Sequence, residues 1–109
     1  MKINPLTYAE LSRPMYVLEE ERLRGNLNLI AHVAKEADVE IILAFKAYAL
    51  WRTFPIFREY IKATTASSLF EARLGFEEFG APTHTFSPGY TDYEIDDIAR
   101  CSSHLVFNS

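Results

Sequence analysis

Four short runs of strand-forming residues divide the chain at an almost constant interval. They begin at Val39 (VEIILAF), Ile61 (IKATT), Thr83 (THTFS) and His104 (HLVFN), with starts 22, 22 and 21 residues apart. Between them, apolar residues recur at three- and four-residue spacing, as on one face of a helix. Strands alternating with helices at this interval predict βαβ units, right-handed crossovers and a parallel sheet. The fold class read from the pattern is α/β.

Local chemistry marks the helix boundaries. A first helix over about 19–37 places Leu23, Leu27, Ile30 and Ala34 on one face. A second runs over about 53–60, with Thr53 as N-cap and Pro55 in the first turn, where a missing N–H costs little. Ser68-Leu69-Phe70-Glu71 has capping-box spacing and opens a third, whose expected buried stripe is Leu69, Ala72, Phe76 and Phe79. Gly80 and Pro82 close it. Thr91 to Glu94 repeats the capping-box spacing and opens a fourth helix, expected to bury Ile95, Ile98 and Ala99. Upstream, Pro14 to Leu18 reads as an isolated short strand and Met1 to Arg13 as a polar leader.

The first strand-like run ends in a lysine: Ile41-Ile42-Leu43-Ala44-Phe45-Lys46-Ala47. Its composition is that of a strand buried on both faces, and parallel sheets present functional groups at the carboxyl ends of their strands. Desolvation there favours the neutral amine, the form that condenses with an aldehyde. Lys46 is thus a candidate Schiff-base lysine. Taken alone, the segment reads better as a lysine that caps a strand and snorkels to water.

Composition narrows the class. With 109 residues, 49% of them hydrophobic and 24% charged, the chain has the make-up of one small globular domain. Aromatic residues reach 14%, ample for a core. A net charge of -4 argues against nucleic acid or an anionic membrane as partner. No apolar stretch is long enough to span a bilayer, and no signal-peptide pattern opens the chain. The single Cys101 excludes an internal disulfide framework, fits a cytoplasmic setting and reads as a buried structural thiol. His32, His84 and His104 are too dispersed to suggest a metal site, and the latter two are expected at the amino ends of their strands. Neither Glu77-Glu78 nor Asp96-Asp97 is a catalytic carboxylate pair, because helix neighbours point about 100° apart.

Several segments together resemble the fold-type III pyridoxal-phosphate decarboxylases, the alanine-racemase-like barrel enzymes. They are Pro14 to Leu18, Leu43 to Ala47 with the downstream Trp51, Thr64 to Gly75, Glu77 to Gly80, Ser87-Pro88 and Val106 to Ser109. The resemblance implies the first half of a pyridoxal-phosphate-binding (β/α)8 barrel over 19–109. Residues 1–18 would be a leader and an N-terminal strand of a second, β-rich domain. Lys46 matches the family's Schiff-base lysine, and Ala44 a small residue beneath the cofactor, pyridoxal 5'-phosphate. Thr65 stands where many relatives carry an acid, which points to the branch acting on carboxynorspermidine and carboxyspermidine in polyamine synthesis. The implied partners are a small polyamine carboxylate and, in the complete enzyme, a second copy of the chain.

In the family pattern the acid that partners the ring nitrogen and the glycine-rich phosphate loop lie beyond Ser109. The 109 residues alone are therefore expected to be inactive and to self-associate through uncovered strands. Tyr48 and Trp51 either wall the cofactor or pack in the core. Two other readings remain: another decarboxylase of the same fold type, acting on ornithine or diaminopimelate, and a non-catalytic α/β binding or assembly module.

Overall fold

The computed structural model describes residues 12–108. Most of the expected leader and Ser109 lie outside the described residues. The elements are α1 (Glu20–Ala37), β1 (Leu43–Ala44), a 3-10 turn (Trp51–Thr53) leading into α2 (Phe54–Phe57), β2 (Thr64–Ala66), α3 (Leu69–Leu74), a π turn (Gly75–Phe79), β3 (Thr83–Phe86), α4 (Ile95–Cys101) and β4 (Ser102–Val106). The strands form one sheet in the order β1-β2-β3-β4, each parallel to the next. Sequential parallel strands joined by helices are the arrangement of part of a (β/α)8 barrel.

One face of the sheet is covered. Leu43, Phe45, Thr64, Ala66, Thr83 and Thr85 point into it and are buried. They pack with Leu27 of α1, Phe54 and Phe57 of α2, Ala72 of α3, Phe79 and Cys101. Phe54 sits between Phe45 and Phe79, with ring centroids 5.4 Å from each. Between β3 and β4 this layer is hydroxyl-bonded: Thr85 Oγ1 lies 2.7 Å from both Thr83 Oγ1 and Ser102 Oγ.

The caps follow the sequence in part. Ser68 Oγ accepts from the Glu71 amide at 3.2 Å, as capping-box spacing predicts. Gly80 takes a left-handed conformation, φ 82°, at the end of the π turn. Thr53 does not cap α2; its hydroxyl donates to Leu50 O at 2.7 Å and bonds to the Tyr48 hydroxyl. Thr91 does not cap α4 either, because its hydroxyl binds the Glu94 carboxylate instead of a backbone amide.

Other expectations are corrected. Pro14 to Leu18 belongs to no strand here; an extended segment becomes a strand only beside another backbone ladder. The first strand is two residues long, not seven. Just before β2 the chain is still turning, since the Tyr60 and Ile61 amides both bond to Phe57 O, at 2.9 and 2.8 Å. Phe76 is 49% exposed, because the π turn shifts the helix phase and turns Gly75 and Phe79 inward. Ala99 is exposed too, since α4 packs through Ile98 and Cys101.

Candidate active site

Backbone register assembles the candidate site. Ala44 pairs with Thr65, Thr65 with His84, and His84 with His104, one residue from each strand in a single row. Side chains alternate along a strand, so this row lies on the face opposite the buried Leu43, Thr64, Thr83 and Thr85. Ala44, Thr65 and His84 are half-buried and His104 is exposed.

Lys46 stands two residues past β1, in the turn over 45–47 that ends the strand. Phe45 immediately before it is anchored in the core. The Ala47 and Tyr48 amides both bond back to Ala44 O, at 3.0 and 3.1 Å, so the turn that carries the lysine is backbone-fixed. Lys46 is exposed, and the desolvation expected from its apolar context is not found among the described residues. The strand is too short to carry Lys46 into the sheet. Among the described residues it makes no hydrogen bond or ion pair, so its amine is open to a ligand.

Thr65 lies inside β2 and Ser87 directly follows β3. Lys46 and Ser87 thus share the carboxyl side of the sheet, beyond the row that holds Thr65. Tyr48 turns to the core: its ring lies 4.6 Å from that of Phe57 and its hydroxyl 2.6 Å from Thr53 Oγ1. Trp51 is exposed, with the Arg52 guanidinium 5.2 Å from its ring.

Sequence reasoning placed His84 and His104 at the amino ends of their strands, away from the site. They occupy the row of Ala44 and Thr65, with ring centroids 4.1 Å apart. The reason is that β4 begins at Ser102, with a register shift between Thr83 and His84, which brings His104 to mid-strand. Ser103 Oγ and His104 Nδ1 are 2.9 Å apart.

Above this row, Phe86 pairs with Val106. They are 39% and 48% exposed, an apolar patch at the carboxyl rim that the sequence reading had not assigned to the site. Tyr90, also unassigned, sits beside it with its hydroxyl on Thr85 O and Val106 O. Alternation along HTF and HLV was the available signal for both patch residues, since it puts Phe86 and Val106 on the faces of His84 and His104.

The donor set suits the aldehyde end of a pyridoxal group. It comprises an open primary amine at a strand's end, a methyl-sized residue two positions before it, and a neutral hydroxyl in register with that residue. Among the described residues, no three His, Cys, Asp or Glu side chains converge as a metal site.

No protein-family model matches the chain. Curated relatives do. It is 35% identical over 99 residues to a carboxynorspermidine/carboxyspermidine decarboxylase of Herminiimonas arsenicoxydans, covering 91% of this chain and 27% of that protein. Identity is 39% over 102 residues to the enzyme of the same name from Campylobacter jejuni subsp. jejuni, covering 94% of this chain and 27% of the relative. To a carboxyaminopropylagmatine decarboxylase of Synechocystis sp. it is 41% over 101 residues, covering 93% and 26%. The crystal structure of carboxynorspermidine decarboxylase from Campylobacter jejuni, complexed with norspermidine, superposes with a TM-score of 0.86 at 39% identity, over 91% of this chain and 27% of that one. The chain thus spans about a quarter of the length of these relatives. In sequence and in fold together, it is homologous to that portion of the carboxynorspermidine decarboxylases.

Proposed function

We propose that the protein to which this segment belongs removes the carboxylate from a carboxylated polyamine, with pyridoxal 5'-phosphate attached at Lys46. The observation that carries this reading is the position of Lys46, an open amine on a fixed turn at the carboxyl end of β1, beside the Ala44–Thr65 row. The names of the relatives support the reaction and the polyamine class. A cytoplasmic setting and a homodimeric complete enzyme belong to the same reading; no described helix is long and apolar enough to cross a membrane.

The chain's own residues have definite tasks. Lys46 would hold the cofactor through its Nζ, which stands exposed on the fixed turn after β1. Ala44 leaves room for a flat ring against the strand. Thr65 places a neutral hydroxyl in register with Ala44. Phe86 and Val106 provide an apolar wall that excludes water from one side. When bound, pyridoxal phosphate supplies the electron sink that lets carbon dioxide leave.

The test is reductive trapping. Incubation with pyridoxal 5'-phosphate, borohydride treatment and peptide mapping should place the label on Lys46 and leave Lys35 and Lys62 at background. Label spread evenly over the lysines would sink the assignment.

A further inference from the structure

The Tyr90 hydroxyl makes three contacts that converge on one residue pair. It accepts from the Ser87 amide at 3.2 Å and lies 3.1 Å from Thr85 O, so it touches both peptide groups flanking Phe86. It also lies 2.8 Å from the carbonyl oxygen of Val106, the register partner of Phe86. A phenol has one proton, so the shorter contact to Val106 O takes it and the Thr85 carbonyl shares it. The ring itself is braced edge-on by Phe107, with centroids 5.2 Å apart. Ser87 Oγ donates to Gly89 O at 2.7 Å and closes the turn that delivers Tyr90 to this place.

We infer that Tyr90 is a positioning residue for the ligand site: it clamps the Phe86–Val106 pair so that the pair stands as a fixed apolar wall facing the Lys46 rim. The inference rests on the proposed attachment at Lys46 and adds the element that orients what is attached there. β1 and β3 are two strand spacings apart, about 10 Å, which a ring held at a lysine Nζ spans. Both wall residues lie at strand ends, where the ladder runs out and their peptide groups would otherwise be free to tilt. One side-chain hydroxyl replaces the missing ladder bonds. A rigid wall reduces the ordering cost of binding, and a loose one does not.

The experiment uses the complete protein to which this segment belongs and its Tyr90→Phe, Phe86→Ala and doubly substituted forms. Each is incubated with graded pyridoxal 5'-phosphate and trapped with borohydride, and the half-saturating concentration at Lys46 is read from the labelled peptide. Amide hydrogen exchange at Ser87 and the melting curve are recorded alongside. Loss of one half-buried hydrogen-bonding hydroxyl should raise the half-saturating concentration about fivefold in Tyr90→Phe and speed Ser87 exchange. Phe86→Ala should give a similar rise. The decisive result is the double variant, which should bind no worse than Phe86→Ala alone, because Tyr90 acts through Phe86. Additive effects, or an unchanged half-saturating concentration in Tyr90→Phe, overturn the inference while leaving the Lys46 attachment standing. Absence of Lys46 label in the unsubstituted complete protein overturns both. If Phe86→Ala unfolds, Phe86→Leu takes its place in the cycle.

Discussion

A Cβ added at Gly75 would stand 2.2 Å from Cγ2 of Thr83, 3.0 Å from Cε2 of Phe45 and 3.1 Å from Oγ1 of Thr64. All three neighbours are fully or nearly fully buried, so none of them has room to retreat. The π turn therefore meets β2 and β3 through a bare backbone. Gly75→Ala should cost about 3 kcal/mol, the upper range for overpacking a closed core. Thermal melting of the substituted chain checks this, and a loss below roughly 1 kcal/mol would mean the sheet yields more easily than its burial implies.

Thr64 carries a second, opposite expectation. It is fully buried on β2, and its hydroxyl oxygen has no hydrogen-bond partner among the described residues. Its neighbours Thr83 and Thr85 bond to each other instead. Thr64→Val keeps the branched shape that suits a strand and removes an unsatisfied polar atom from an apolar layer. It should stabilise the fold by about 1 kcal/mol. A lower melting temperature in Thr64→Val would show that this hydroxyl is satisfied in solution.

The sheet was legible in the sequence because β-branched and aromatic runs at constant spacing admit few other folds. The π turn was not, since an α-helical period and a π-widened one differ by a single residue and both suit Ala72 to Phe79. Phe76 and Gly75 exchanged places as a result. The site was half legible. Lys46 and Ala44 follow the pattern of the resemblance and Thr65 departs from it, and register brings Ala44 and Thr65 side by side. His84 joined their row only through a ladder irregularity at Thr83/His84, which no residue pattern announces. Tyr90 was invisible for a related reason: its partners are backbone carbonyls on two strands, and backbone groups leave no trace in composition.

Arg24 makes α1 and α2's trailing turn sensitive to acid. It donates to Glu59 Oε2 at 2.6 Å and to Glu20 Oε1 at 3.0 Å. These hydrogen bonds are the main reason both carboxyl groups sit below the ordinary glutamate range. A depressed folded-state value means the stabilisation is fully present above the unfolded-state value and is lost as pH falls through the folded one. The groups are solvent-exposed, so the effect is small and screened by salt. Melting temperature should therefore fall on acidification below the ordinary glutamate range, and less steeply in Arg24→Met. Parallel curves for the two proteins would remove Arg24 from the acid response.

Lys46 separates the site from the scaffold. Its side chain is exposed and unpartnered among the described residues, while the residue before it, Phe45, carries the packing. Lys46→Ala should change stability by no more than about 0.5 kcal/mol, as for a surface substitution. Phe45→Ala, by contrast, opens a cavity beside Phe54 and should cost about 3 to 5 kcal/mol. The same Lys46→Ala chain should lose the borohydride-fixed pyridoxal label entirely, because no other described lysine ends a strand of the sheet. Lys62 precedes β2 and donates its Nζ to Arg58 O at 2.5 Å, on the opposite side of the sheet. A stable Lys46→Ala protein that still takes up one equivalent of label would move the reactive amine elsewhere and detach the Ala44–Thr65 row from the chemistry.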